Sequence, residues 1–201
     1  MPTTGTSRPY TGVDVPQGPA EVWIKASVPS AGAAVVLHSD GSLDATTNPS
    51  AIFMGKLEAG AKWAYKETFF EGKSNESPNS FRQLLQQEEV MISGAWMELQ
   101  NAAKLAAMMA GSTTVSLTGS TLIQMGGKGG VPPTFSVVLV WQQPEAPGKY
   151  ISVQLYKALN MAGVEFDIDA QKLASSPFQF KAQSVDSRAG GDKLAAMNIQ
   201  S

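Results

Sequence analysis

The stretch that decides the fold runs Lys62-Trp63-Ala64-Tyr65-Lys66-Glu67-Thr68-Phe69-Phe70-Glu71, then Gly72-Lys73-Ser74-Asn75-Glu76-Ser77-Pro78-Asn79-Ser80, then Phe81 through about Ser93. The first part reads as a strand. Trp63, Tyr65 and Phe69 fall on one face with Glu67 between them, and Lys62, Lys66 and Thr68 fall on the other. The middle part is rich in Gly, Ser, Asn and Pro, which favour turns over ladders. The return arm alternates less cleanly and is rich in Gln, a composition that pairs readily with another chain. Each arm exceeds the usual strand of about five or six residues. A hairpin that outgrows its own domain needs a partner for its edges and its apolar face. This points to assembly rather than catalysis.

Upstream, residues 1–20 hold Pro2, Pro9, Pro16 and Pro19 with Gly5, Gly12 and Gly18, and read as an extended arm. Over 21–28, Val22, Ile24, Ala26 and Val28 share one face of a strand ended by Pro29. Val35-Val36-Leu37-His38 before Ser39-Asp40-Gly41-Ser42 predicts a strand entering a tight turn, because Asp-Gly tolerates positive φ. Ala51 to Ala59 reads as a short strand interrupted at Gly55, and Gly60 turns the chain into the hairpin of 61–96.

Downstream, Met97 to Ala110 predicts a helix, with Leu105, Met108 and Met109 on one face beside Ala102 and Ala106. Asn101 is the expected N-cap and Gly111 the expected C′ residue. Thr134 to Gln142 places Phe135, Val137, Leu139 and Trp141 together. After a turn at 144–148, Tyr150 to Leu159 places Ile151, Val153, Leu155 and Leu159 on one face and Ser152, Gln154 and Tyr156 on the other. Val164, Phe166 and Ile168 alternate with Glu165, Asp167 and Asp169, and Phe178, Phe180 and Ala182 alternate with polar residues. Regular strands with a single helix predict a mainly β domain over 1–201, a β-sandwich or split barrel with a long protruding hairpin and a C-terminal segment at 186–201.

Composition narrows the function classes. Hydrophobic residues make up 43% of the 201-residue chain, and no apolar run approaches the roughly 18 residues of a membrane helix, so a globular domain away from the membrane is expected. The net charge of −2 gives no basic surface of the nucleic-acid-binding kind. The charged fraction is only 16%, against about a quarter for an average soluble chain, which suits a surface partly hidden in contacts. The absence of Cys removes disulfides, thiolate metal sites and a Cys nucleophile. Residues 1–8 lack the apolar core of a secretory signal, so folding in a cytoplasm is expected.

No catalytic, cofactor or metal site is expected. His38 is the sole histidine and fits a strand end or loop, so zinc patterns fail for want of a second ligand. Gly126-Gly127-Lys128-Gly129-Gly130 departs from a phosphate loop, since Lys128 precedes Gly129 and Pro132-Pro133 forbids a following helix. Glu165, Asp167 and Asp169 read as an acidic strand face turned to solvent, one able to repel a passing polyanion. Asn75-Glu76-Ser77 matches a glycosylation sequon that Pro78 spoils.

The order of elements resembles the tail tube proteins of long-tailed bacteriophages. Three stretches carry it: Met54-Gly55-Lys56-Leu57-Glu58-Ala59-Gly60-Ala61-Lys62-Trp63 as the Gly-bearing entry to the hairpin, Val90 through Leu99 as the strand-to-helix junction, and Lys149–Ala158, Gly163–Asp167 and Phe178–Ala182 as closing strands. The resemblance spans about 20–185 and rests on pattern. It implies homo-hexameric rings that stack into a tube in the virion tail, assembled in the host cytoplasm. The inner strands of the six subunits would join into one β-barrel, and the long hairpin of one ring would pack on the next. Implied partners are a tape-measure protein, tail terminator and initiator proteins, and phage DNA passing through the lumen without sequence-specific binding.

A shared barrel would remove strand edges, and a lumen without basic patches would let DNA slide. The expected assembly residues are Trp63, Tyr65, Lys66, Phe69, Phe70, Lys73, Phe81, Leu84 and Leu85 on the hairpin, with Tyr150, Gln154 and Tyr156 on the 150–159 strand. The hairpin arms and Tyr150–Leu159 are expected to face the lumen. Rival readings are a head decoration or tail terminator protein, a carbohydrate-binding β-sandwich, which would need exposed aromatics clustered at a groove, and a hydrolase using Glu165 or Asp167, for which no partner base or nucleophile is evident.

Overall fold

The computed structural model describes residues 20–55, 57–74, 77–97, 101–109, 111–126, 132–143, 146–165 and 175–201. The strands are β1 Glu21–Ile24, β2 Ile52–Phe53, β3 Leu57–Ser74, β4 Ser77–Trp96, β5 Thr113–Leu117, β6 Ser120–Gln124, β7 Phe135–Gln142, β8 Tyr150–Asn160, β9 Ser176–Ala182 and β10 Ala195–Ile199. Helix α1, Ala102–Met108, lies between β4 and β5 and is the only helix among the described residues. The protein is mainly β and its strand pairs are antiparallel. Eight strands form one sheet in the order β2-β1-β7-β8-β9-β4-β3, with β10 beside β8.

Much of the middle of the sheet is buried on both faces, and its buried polar side chains, Ser136, Gln154 and Asn160 among them, are hydrogen-bonded. Val22 and Ile24 of β1, with Val137 and Leu139 of β7, enter a cluster that also takes Val153 and Leu155, Phe178 and Phe180, and Ile92 and Trp96. Residues from both ends of the sheet thus meet in one core, so the sheet curls round it. Trp23, Val138 and Val140 point the other way, into a second cluster closed by Val35, Leu43 and Phe53. There the rings of Trp23 and Phe53 lie 4.8 Å apart. The single apolar face expected over 21–28 is therefore corrected: all four residues of β1 are buried.

That strand also stops at Ile24 instead of running to Val28. Lys25 takes φ 58, outside the extended region, and its N–H donates to Ser136 O at 2.8 Å. Side chains then replace the ladder. Ser136 Oγ donates to Ala26 O, Gln154 Nε2 donates to Ser27 O at 2.9 Å, and Asn48 Oδ1 accepts from Ser27 N–H at 3.0 Å. The strand expected at 35–38 is a single bridge, Leu37 to Leu43, around the predicted Asp40-Gly41 turn, with Gly41 at φ 83. The 51–59 strand divides into β2 and the start of β3, on either side of Gly55 at φ 88.

The helix is shorter than its apolar spacing suggested. Asn101 does cap it, its Oδ1 accepting from Ala103 N–H at 3.0 Å and Lys104 N–H at 3.2 Å. The other end differs. Met109 is the C-cap in extended conformation, and Ser112 Oγ donates to the carbonyls of Ala106 and Met109, each at 3.1 Å. Gly111 is thus not the left-handed C′ residue. The arm at 1–19, the sequon residues Asn75 and Glu76, the Gly127–Gly130 loop and the acidic positions Asp167 and Asp169 lie outside the described residues.

Candidate assembly surface

The long hairpin is longer than the sequence indicated. β3 has 18 residues and β4 has 20, and they pair from Leu57–Trp96 out to Ser74–Ser77. The expected polar tip at 72–80 is therefore largely strand. Pro78 is tolerated where β4 has one free edge: β9 covers only Met91–Trp96, so on the side away from β3 no described strand flanks β4 farther out. From Glu88 outward the hairpin is a two-stranded ribbon flanked by no other described strand, about 35 Å long at roughly 3.3 Å per residue.

Register explains why β4 alternates poorly in sequence. Thr68 faces Gln87 and Phe69 faces Leu85, so Gln86 is an extra residue, a β-bulge. Trp63, Tyr65, Glu67, Phe69 and Glu71 then share one face with Ile92, Val90, Glu88, Leu85 and Gln83. The opposite face takes Lys62, Ala64, Lys66, Thr68 and Phe70 with Ser93, Met91, Glu89, Gln87 and Leu84. Toward the domain the first face enters the core, where Ile92 is fully buried. Farther out both faces meet solvent, and Phe69, Phe70, Leu84 and Leu85 are 50%, 57%, 45% and 48% exposed.

Electrostatics differ between the faces. Glu67 and Glu88 stand directly opposite, and Tyr65 Oη lies 2.7 Å from a carboxylate oxygen of each. One hydroxyl proton serves one carboxylate at a time, and the two acceptors, Glu88 foremost, push the Tyr65 pKa up. On the other face Lys181 of β9 pairs with Glu89 at 2.7 Å, and this hydrogen bond lowers the Glu89 pKa.

Trp63 and Tyr65, 38% and 43% exposed, also form one wall of a groove of about 450 Å³. Glu88 and Val90 stand beside them, Val153 contributes from β8, and Lys193, Leu194, Ala195 and Met197 form the other wall.

The expected residues on the 150–159 strand do not join this surface. β8 is interior, with β7 on one edge and β9 and β10 sharing the other. Gln154 is 3% exposed and bonded to Ser27 O, so it is not available to a neighbour. Tyr156 is 5% exposed, with its hydroxyl donating to Asp192 and the Arg188 guanidinium on its ring. The Tyr150 ring lies against Gly41, where a Cβ would come within 2.3 Å of it. An irregular register between Phe135 and Val137 also shifts the phase of β8, so Ala158, not Leu159, continues the core face of Val153 and Leu155. Within one chain Ser152–Tyr156 and Ala158 are buried, and Lys157 is the exposed residue of this strand. Trp63, Tyr65, Lys66, Phe69, Phe70, Leu84 and Leu85 are brought together on the ribbon. Lys73 and Phe81 lie in its strands, with side chains outside the described residues.

Two elements escaped the sequence reading. β5 and β6 form a separate hairpin turning at Thr118-Gly119, with Gly119 at φ 76 and with Val115, Leu117 and Leu122 exposed. A glycine between two short runs, Thr113–Leu117 and Ser120–Gln124, rich in Thr, Val, Leu and Ile was the available signal. β10, inside the expected C-terminal segment, pairs with β8 from Ala195–Leu155 to Ile199–Ile151. His38 sits at the predicted turn, its N–H donating to Ser42 O at 2.9 Å and its Nε2 3.7 Å from Asp44. Glu165 is exposed, and among the described residues no three His, Asp or Glu side chains converge as a metal site would require. No protein-family model matches the chain, and no curated protein matches it at a significant level.

Proposed function

We propose that this chain is a non-enzymatic structural subunit that assembles with copies of itself through the β3–β4 ribbon, as tail tube proteins of long-tailed phages do. The observation that carries the reading is the ribbon itself. It extends beyond the last strand that flanks it, yet it bears Phe69, Phe70, Leu84 and Leu85 half exposed on its two faces. An isolated two-stranded hairpin is marginal in water, and an exposed apolar one invites association. On this reading hexameric rings stack into a tail tube that conducts DNA, with tape-measure, terminator and initiator proteins as partners. The test is negative-stain microscopy with sedimentation of the purified protein. Rings or hollow tubes are expected; a chain that stays monomeric at high concentration, with tail initiator added, refutes the proposal.

A second reading, a carbohydrate-binding module, draws on one observation. Trp63 and Tyr65 stand at a groove beside Glu88, an aromatic wall with a hydrogen-bond acceptor that a sugar ring could stack on. Tryptophan fluorescence titrated with oligosaccharides tests it, and an unchanged signal up to millimolar sugar counts against it.

A further inference from the structure

We infer that the ribbons of neighbouring copies stack face to back, the acidic face of one on the basic face of the next. This deepens the assembly reading and rests on it. Between Lys62–Glu71 and Gln83–Ser93 the two faces carry opposite charge. One presents Glu67, Glu71 and Glu88 with no lysine or arginine. The other presents Lys62 and Lys66, with Lys181 of β9 beside them, against the single carboxylate of Glu89. Glu89 is engaged by Lys181 at 2.7 Å and is also the register partner of Lys66, so a single carboxylate stands against three lysines and the face keeps an excess of positive charge.

The acidic face is incomplete on its own. Glu67 and Glu88 are register partners, and like charges directly opposite on neighbouring strands are destabilising. Tyr65 has one proton for the two of them. Lys193, across the groove, stands at the base of this face, on a loop outside the ribbon. A lysine brought by another ribbon would neutralise the outer carboxylates at the separation of about 10 Å at which sheets pack face to face. The same superposition covers apolar surface, since Phe69 and Leu85 accompany the glutamates and Phe70 and Leu84 accompany the lysines. Because the two faces differ, the contact is heterologous. It repeats from copy to copy and closes into a ring or grows into a filament.

Charge reversal in the full chain tests this by sedimentation velocity, with circular dichroism and melting used to verify the fold. One variant carries Glu67→Lys and Glu88→Lys, a second carries Lys62→Glu and Lys66→Glu, and a third carries all four. Each two-site variant alone is expected to need at least tenfold more protein to assemble than the unaltered chain. Mixed in equal amounts the two should assemble again, since each then offers the face the other lacks, and the four-site chain should assemble alone. If both two-site variants assemble like the unaltered chain, the stacking is refuted and the assembly reading stands. Loss in both without recovery in the mixture or in the four-site chain also refutes it. An unaltered chain that does not assemble overturns the assembly reading and the stacking with it.

Discussion

The guanidinium of Arg188 lies 3.8 Å from the centre of the Tyr156 ring. The same guanidinium pairs with Asp192 at 2.7 Å and donates to the Pro29 carbonyl, while Tyr156 Oη donates to Asp192. One side chain thus ties the loop before β10 to β8 and to the segment after β1. Arg188→Ala should cost about 2 kcal/mol from the stacked cation and the unpaired partners. At the size of this chain that is a drop of roughly 4–8 °C in melting temperature. Arg188→Lys should recover less than half, because an ammonium lacks the planar fork.

Alkali should loosen the same junction. Burial, then the hydrogen bond to Asp192, pushes the Tyr156 pKa up from 10.0 to about 12. A raised folded-state value means the neutral phenol is favoured by folding. Its contribution is complete below pH 10 and is lost as pH rises through about 12. Denaturant melts across that range should fall more steeply for the unaltered protein than for Tyr156→Phe.

The acid side has the opposite sign. Lys181, chiefly by its hydrogen bond, holds Glu89 below 4.5, and the Thr47 N–H foremost holds Asp44 below 3.8. Lowered folded-state values give stability that is present at neutral pH. It is lost as pH falls below about 4.5 toward the depressed values. Glu89→Gln should flatten the upper part of that acid limb in a titration followed by circular dichroism, and salt should shrink the difference, since the pair is partly exposed.

Gly94 sits where no other residue fits. A Cβ there would lie 2.8 Å from Phe178 Cζ and 2.9 Å from the Gly60 carbonyl oxygen. Gly94→Ala should therefore destabilise by about 1–3 kcal/mol. Trimming the ring in Gly94→Ala/Phe178→Leu should relieve the Phe178 contact but not the backbone one, so thermal melts should show partial rescue at most.

Asn160 is 8% exposed and makes four hydrogen bonds: Nδ2 donates to Met108 O and Gly163 O, and Oδ1 accepts from Ala162 N–H and Gln179 N–H. It joins the end of α1 to β8 and β9. Asn160→Ala leaves several buried groups without partners, so a loss of about 3 kcal/mol in urea unfolding is expected, and Asn160→Asp should not restore it, because a carboxylate cannot donate to two carbonyls.

Strong local patterns carried from sequence to structure, and patterns set by distant residues did not. The hairpin arms, β7, the Phe178–Phe180–Ala182 face of β9 and the Asn101 cap were legible because each depends on its own few residues. The phase of β8 was not, since an irregular register with β7 decides it, and Gln154 and Tyr156 read as outward until the loops over them were placed. On the candidate surface, Phe69 and Phe70 were legible as a ribbon's apolar residues. The Glu67–Glu88 opposition required the register, which the extra residue at Gln86 displaces by one.

That extra residue has a consequence for how the protein can meet other chains. A straight unpaired strand is a template along which any extended peptide can zip, with no limit on length and little demand on sequence. At Gln86 the outer margin of β4 is bent and its rhythm of donors and acceptors is broken, so a stranger pairing along it loses step after a few residues. Promiscuous lateral zipping along β4 is thereby curtailed, on the one margin of the ribbon that carries the extra residue.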